Sequence, residues 1–138
     1  MRIPVFRPGR ASPDLPLSPA IRSGDHLFLT GMTGSLADGT MPLDPTAQFE
    51  SAFDKIAGLL AEADLTLDAV SEVTTFHVDL NRHFETFEAV WRVRFAAPYP
   101  AWTAVGVAGL RRQGALVEIR AIAHIGAVPL AKNITGNR

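Results

Sequence analysis

Cysteine is absent from this chain of 138 residues, and its absence excludes several kinds of site at once. Without a thiol there can be no disulfide, no cysteine nucleophile and no cysteine-ligated metal. The chain also has no apolar run long enough for a signal peptide or a membrane span. These absences fit a reducing compartment, and we expect a cytoplasmic protein.

An excess of positive charge is also missing, since the formal net charge is −1. A chain without a basic face gives no electrostatic reason to expect nucleic acid as a partner, and Arg111-Arg112 alone reads as a solvated turn. Apolar residues make up 47% and charged residues 20%, which is typical of a globular domain. We expect one domain over residues 1–126 and a poorly ordered tail over 127–138.

The generic catalytic and metal-binding motifs are missing as well. The glycines at 31, 34 and 39 show neither phosphate-loop nor dinucleotide spacing, so turn geometry explains them better. Three residues of the hydrolytic types lie too close together on one strand to form a triad: Ser71, His77 and Asp79. No ligand-like spacing relates the four histidines, His26, His77, His83 and His124. We therefore expect no metal and no cofactor.

The apolar pattern predicts two helices and several short strands. Asp44 is a good N-cap, Pro45 suits the first helical position, and apolar residues then recur at helical spacing as far as Ala63. Asn81 is expected to cap a second helix, which Pro98 stops. Strands are expected near 3–6, in a hairpin of 21–22 with 26–30, and over 73–80, 101–107 and 115–125.

This order of elements predicts an α+β sandwich in which two helices cover one face of a mixed sheet. The other face of the sheet has many apolar positions and would be left exposed, which predicts self-association. In the last strand, Glu118 stands between Val117 and Ile119 and needs a partner if it is buried. Either it forms an ion pair, with Arg120 or across an interface, or it handles protons in a cleft.

Several segments resemble the RidA/YjgF family in the right order, over about residues 15–125. They are Phe28-Leu29-Thr30-Gly31, the helix beginning Gln48-Phe49-Glu50, Thr74-Thr75 before Asp79-Leu80-Asn81, the run from Pro100 to Leu110, and Val117-Glu118-Ile119-Arg120-Ala121-Ile122-Ala123. The resemblance implies a chorismate-mutase-like fold and a homotrimer whose sheets pack into a central barrel. It also implies three clefts between subunits that bind small carboxylate-bearing ligands.

Active members of that family clamp the ligand carboxylate with an arginine and convert a 2-imino acid to a 2-keto acid and ammonia. By resemblance, Glu118 is the catalytic residue that helps to position water. The implied ligand-binding residues are Thr30, Gly31, Glu88, Trp102, Thr103, Ala104 and Arg120. Three of the matching positions depart from the pattern of active members: Trp102 replaces the arginine, Leu17 replaces a tyrosine, and Glu88 replaces an asparagine.

The sequence therefore resembles the arginine-lacking branches of the family. Trp102 either fills the former anchor site with apolar bulk or recognises a different ligand by stacking or cation–π contact. Arg120, on the same strand face as Glu118, is a candidate for a displaced anchor. Two hypotheses follow: a hydrolase of an imine or enamine, and a small-molecule sensor without turnover. Nothing in the composition favours a ribonuclease.

Overall fold

Six strands in the described part of the chain form one mixed sheet, and two helices cover one of its faces. The computed structural model describes residues 1–6 and 15–126, so the predicted tail over 127–138 lies outside the described residues. The elements are β1 (Ile3–Val5), β2 (Ala20–Ser23), β3 (His26–Met32), α1 (Pro45–Glu62), β4 (Val70–Val78), α2 (Leu80–Arg94), β5 (Ala101–Val107) and β6 (Val117–His124). The α+β prediction is confirmed.

The strand order across the sheet is β1-β2-β3-β6-β4-β5, so β5 is an edge strand. Strands β4 and β5 are parallel and are joined through α2, while the other neighbouring strands are antiparallel. A crossover through a helix is the usual connection between parallel strands. The predicted hairpin is confirmed, with β2 and β3 joined by a two-residue turn at Gly24-Asp25.

The first helix begins where the sequence predicts. The side chain of Asp44 accepts a hydrogen bond of 2.9 Å from the backbone N–H of Ala47, and Pro45 is the first helical residue. The apolar stripe of α1 is buried against the sheet and against the aromatic residues of α2, as Phe49, Phe53 and Ile56 show. Among the described residues, no helix is long and apolar enough to cross a membrane.

The predicted start of the second helix is wrong by two residues. Asp79, not Asn81, occupies the N-cap position, and it adopts a left-handed conformation with φ 59° and ψ 52°. Aspartate tolerates this conformation better than most residues. The sharp turn takes the chain directly from β4 into α2, so β4 ends at Val78 and Leu80 is already helical.

The sheet has a covered face and an open face. On β6, Val117, Ile119 and Ala121 are buried under the helices, and Glu118, Arg120 and Ile122 alternate with them on the open face. The last strand begins at Val117 rather than at 115, because the backbone N–H of Leu116 donates to the Gln48 side chain instead. Phe28 and Val105 on the open face remain 39% and 38% exposed, which fits the expected apolar surface.

Candidate functional site

A cleft of about 670 Å³ opens beside Glu118. Its walls come from five parts of the chain: the segment before β2, the end of β3 with the residues after it, helix α1, the loop between β5 and β6, and strand β6. The described residues that line it are Phe6, Leu15, Leu17, Pro19, Thr30, Gly31, Met32, Thr33, Ser35, Lys55, Arg111, Arg112 and Glu118. This volume is in the range of pockets that bind small molecules.

The Glu118 carboxylate lies directly over the backbone of Gly31. A Cβ atom added to Gly31 would lie 2.7 Å from Cδ of Glu118 and would also clash with Oε2. A glycine is therefore required here by close approach, since any side chain would displace the carboxylate. Glu118 forms no ion pair with any residue in 1–6 or 15–126, so the expected alternative of a pair with Arg120 is not found there.

The backbone of β3 is irregular at the point where it meets Glu118. The register of β3 against β6 shifts between Leu29 and Met32, which places Thr30 and Gly31 in the irregularity. Such bulges are frequent next to functional sites because they redirect backbone groups away from the regular ladder. The Thr30 hydroxyl donates to the carbonyl of Ser18 at 2.7 Å and so fixes the wall of the cleft.

Trp102 does not lie in this cleft within one chain. Its neighbour in the sheet is Val73, which is 1% exposed under the helices, so the indole points to the covered face. It stacks on Trp91 with ring centroids 4.0 Å apart and planes 15° apart, and it also stacks on Phe84. Trp102 and Glu118 are therefore on opposite faces of the sheet.

The indole N–H of Trp102 is already used by a buried polar group. It donates to the Thr75 hydroxyl at 2.9 Å, and the same hydroxyl is 2.7 Å from Nε2 of His77. His77 is fully buried, and its Nδ1 has no partner among the described residues. Burial, and to a smaller extent the charge of His83, lowers the pKa of His77 to about 4. His77 is thus a neutral core residue.

The structure brings together only part of the predicted site within one chain. Thr30, Gly31 and Glu118 meet at the cleft. Arg120 is exposed on the open face two residues from Glu118, beside Thr74, whose other neighbour is Thr103.

The remaining predicted residues lie elsewhere. Ala104 is on the covered face, in register with Thr75. Glu88 is on α2, behind the sheet, and accepts a hydrogen bond of 2.8 Å from Arg92. Glu88 therefore does not line the Glu118 cleft within one chain.

The sequence reasoning missed the basic side chains of the cleft. Arg111 and Arg112 line it, although their position in a turn predicts only solvation. Lys55 of α1 also lines it and donates to the Ser35 hydroxyl at 3.0 Å. No local signal identifies these residues, because loops have no periodicity from which a direction can be read.

Comparison with known proteins gives a consistent result over nearly the whole chain. A family model described as Endoribonuclease L-PSP matches residues 9–125. The chain is 45% identical over 127 residues to the RutC family protein YjgH of Escherichia coli (strain K12), covering 90% of this chain and 95% of that protein.

Solved structures of proteins from the same family have the same fold as this chain. A structure of protein YjgH matches with a TM-score of 0.81 at 43% identity, covering 90% of this chain and 96% of that one. The crystal structure of RidA from the Antarctic bacterium Psychrobacter sp. PAMC 21119 matches with a TM-score of 0.81 at 26% identity, covering 90% and 100% of the two chains.

Proposed function

Because the chain belongs to the Endoribonuclease L-PSP family, which includes the RutC and RidA proteins, we propose that it binds a small molecule in the Glu118 cleft and hydrolyses an imine or enamine there. The observation that supports this proposal best is that Glu118, within the described part of the chain, is unpaired and lines an open cleft. Its carboxylate has no ion-pair partner among the described residues, and it faces an open cleft that Trp102 does not fill.

Glu118 has the chemistry that imine hydrolysis requires. A carboxylate next to bound water accepts a proton as the water oxygen adds to the imine carbon. That proton passes to the imine nitrogen and gives a carbinolamine. A second transfer then moves the proton of the new hydroxyl to the nitrogen, so that the C–N bond breaks, ammonia leaves and the C=O bond of the keto product forms. The contact with Gly31 holds the carboxylate close to the bulged backbone, whose polar groups are available to orient the substrate.

We further propose that the working assembly is a homotrimer. The edge strand β5 and the apolar open face, with Phe28 and Val105 partly exposed, are surfaces that a second copy would cover. The formal charge of −1 supports a small molecule rather than nucleic acid as ligand, and a cytoplasmic location is part of the proposal.

Trp102 supports placing the chain in an arginine-lacking branch of the family. The indole is stacked on α2 and its N–H is bound to Thr75, so the structural interpretation of this residue is favoured over ligand recognition. Any ligand anchor must then come from elsewhere.

The direct test is the hydrolysis of 2-iminopropionate, generated in situ, by the wild-type protein and by Glu118→Gln. Removing a proton-handling group typically costs about 10²- to 10⁴-fold in rate. We expect a loss of this size for Glu118→Gln and none for the matched control Glu72→Gln, a glutamate exposed on β4. Equal rates for Glu118→Gln and the wild type would refute the role of Glu118.

A second candidate function is a small-molecule sensor without turnover. It is favoured by one observation, the inward packing of Trp102, which leaves β5 without a carboxylate clamp. Binding of pyruvate, the keto product, without any hydrolysis of the imine by the wild type would support the sensor and exclude this hydrolase.

A further inference from the structure

The basic side chains of the cleft come from two separate parts of the chain. Arg111 and Arg112 belong to the loop between β5 and β6, and Lys55 belongs to α1. Glu118 is the one carboxylate among the described residues of the lining. Neither arginine forms an ion pair with a residue of 1–6 or 15–126. The described lining of the cleft is therefore electropositive, although the whole chain has a formal net charge of −1.

A buried amide fixes the backbone of the loop that bears these arginines. The side chain of Gln48 is 1% exposed, and its Nε2 donates to the carbonyl of Gly114 at 3.2 Å. Its Oε1 accepts from the backbone N–H of Leu116 at 2.6 Å. The backbone N–H of Ala115 also closes a turn onto the carbonyl of Arg112 at 3.1 Å. The two guanidinium groups thus extend from a loop that is already ordered, which lowers the cost of binding.

Another part of the cleft lining is apolar. Leu15, Leu17 and Pro19 line it, and both leucines remain more than 40% exposed. The cleft therefore has a cationic part, an apolar wall, and a carboxylate at the sheet. A molecule that fits it has an anionic group, a short hydrocarbon body, and a nitrogen or hydroxyl that can donate to Glu118.

We propose that Arg111 and Arg112, with Lys55 beside them, bind the anionic group of a small organic anion in the Glu118 cleft. This inference deepens the proposed function, since it takes the same cleft as the ligand site. It assigns the anchor to a loop instead of to strand β5, where Trp102 packs inward. Guanidinium groups suit the role because they donate two parallel hydrogen bonds to a carboxylate or phosphate.

The test measures binding separately from turnover. Pyruvate, its uncharged analogue pyruvamide, and inorganic phosphate are titrated into isotope-labelled protein while the amide resonances of Gly31 and Glu118 are followed. We expect pyruvate to shift both resonances and to bind at least about tenfold more tightly than pyruvamide, because charge-assisted contacts favour the anion. Stronger binding of phosphate than of pyruvate would assign the arginines to a phosphate group instead of a carboxylate.

Single variants Arg111→Gln and Arg112→Gln identify the anchor. We expect each to weaken pyruvate binding about three- to tenfold while pyruvamide binding stays the same. The matched control is Arg82→Gln, which removes the same charge from a side chain that is 76% exposed on α2. This variant should bind both pyruvate and pyruvamide as tightly as the wild type does. Unchanged pyruvate affinity in both loop variants would overturn the proposal.

The two proposals fail in different ways. If imine hydrolysis depends on Glu118 while both loop variants keep the wild-type affinity for pyruvate, only the anchor is wrong. If the loop variants lose affinity but the wild type hydrolyses no imine, the anchor is supported and the hydrolase is wrong. Raising the salt concentration provides a further check, since it should weaken pyruvate binding more than pyruvamide binding.

Discussion

Acidification is expected to destabilise the fold through His77. In the folded chain this histidine is fully buried, contacts Phe84 and Phe87, and has no partner at Nδ1 among the described residues. Its pKa is lowered to about 4 from an ordinary value near 6.5. Protonation would place an unpaired charge among aromatic rings, so the folded state disfavours it.

The direction and size of the effect follow from this difference in pKa. Above about pH 6.5 the histidine is neutral in both states, and its contribution to stability is fully present. Between about pH 6.5 and pH 4 the unfolded chain takes up a proton that the folded chain does not, so stability falls as the pH falls. A difference of about 2.5 pKa units corresponds to about 3 kcal/mol of unfolding free energy.

The assay is urea unfolding at a series of pH values between about 7.5 and 4, at one fixed protomer concentration because self-association would add to stability. The wild type is compared with His77→Gln, whose amide can still bond to Thr75. The stability difference between the two proteins should shift by about 3 kcal/mol across this range in favour of the variant. His26→Gln, which removes an exposed histidine, should follow the wild type. A difference between wild type and His77→Gln that does not change with pH would refute the reasoning.

Three further predictions concern the cleft and its supports. Gly31→Ala should abolish imine hydrolysis by displacing the Glu118 carboxylate, whereas Gly109→Ala, with nothing within 4 Å of the added Cβ, should keep full activity in the same assay. Trp102→Ala should lower the unfolding free energy by about 2–4 kcal/mol in urea titrations, because it removes the stack on Trp91 and the bond to Thr75; a change below about 1 kcal/mol would contradict the packing described. Gln48→Ala should cost about 2–4 kcal/mol by leaving the backbone N–H of Leu116 buried without its acceptor, and it should weaken pyruvate binding as the loop loosens; unchanged affinity would show that the loop is held by other contacts.

The regular elements were largely predictable from local signals. Asp44 with Pro45, and the two-residue turn at Gly24-Asp25, specify their structures through side-chain capping and turn chemistry within a few residues. The start of α2 was less predictable. Asn81 and Asp79 are equally good N-cap residues by type. The turn out of β4 places Asp79 at the N-cap in a left-handed conformation, and its side chain makes no cap hydrogen bond.

The geometry of the site was only partly predictable, for a reason that concerns register. Alternation along a strand shows that Trp102 shares a face with Ala104, and that Glu118 shares a face with Arg120. It does not show whether those two faces are the same face of the sheet. The pairing of both strands with β4 determines which face each side chain is on. Trp102 aligns with the buried Val73, whereas Glu118 aligns with Phe76 on the open face. Such long-range pairing leaves no trace in either strand alone.

The Gln48 tether has a consequence for how the cleft can diversify. Gln48 donates to the carbonyls of Pro42 and Gly114 and accepts from the backbone N–H of Leu116. All three hydrogen bonds of this tether are to main-chain atoms, so they do not depend on which side chains the loop has. Substitutions at 111 and 112 therefore leave the tether intact. Related proteins can therefore differ in ligand preference through substitutions at these two positions, while the backbone of the loop keeps the same conformation.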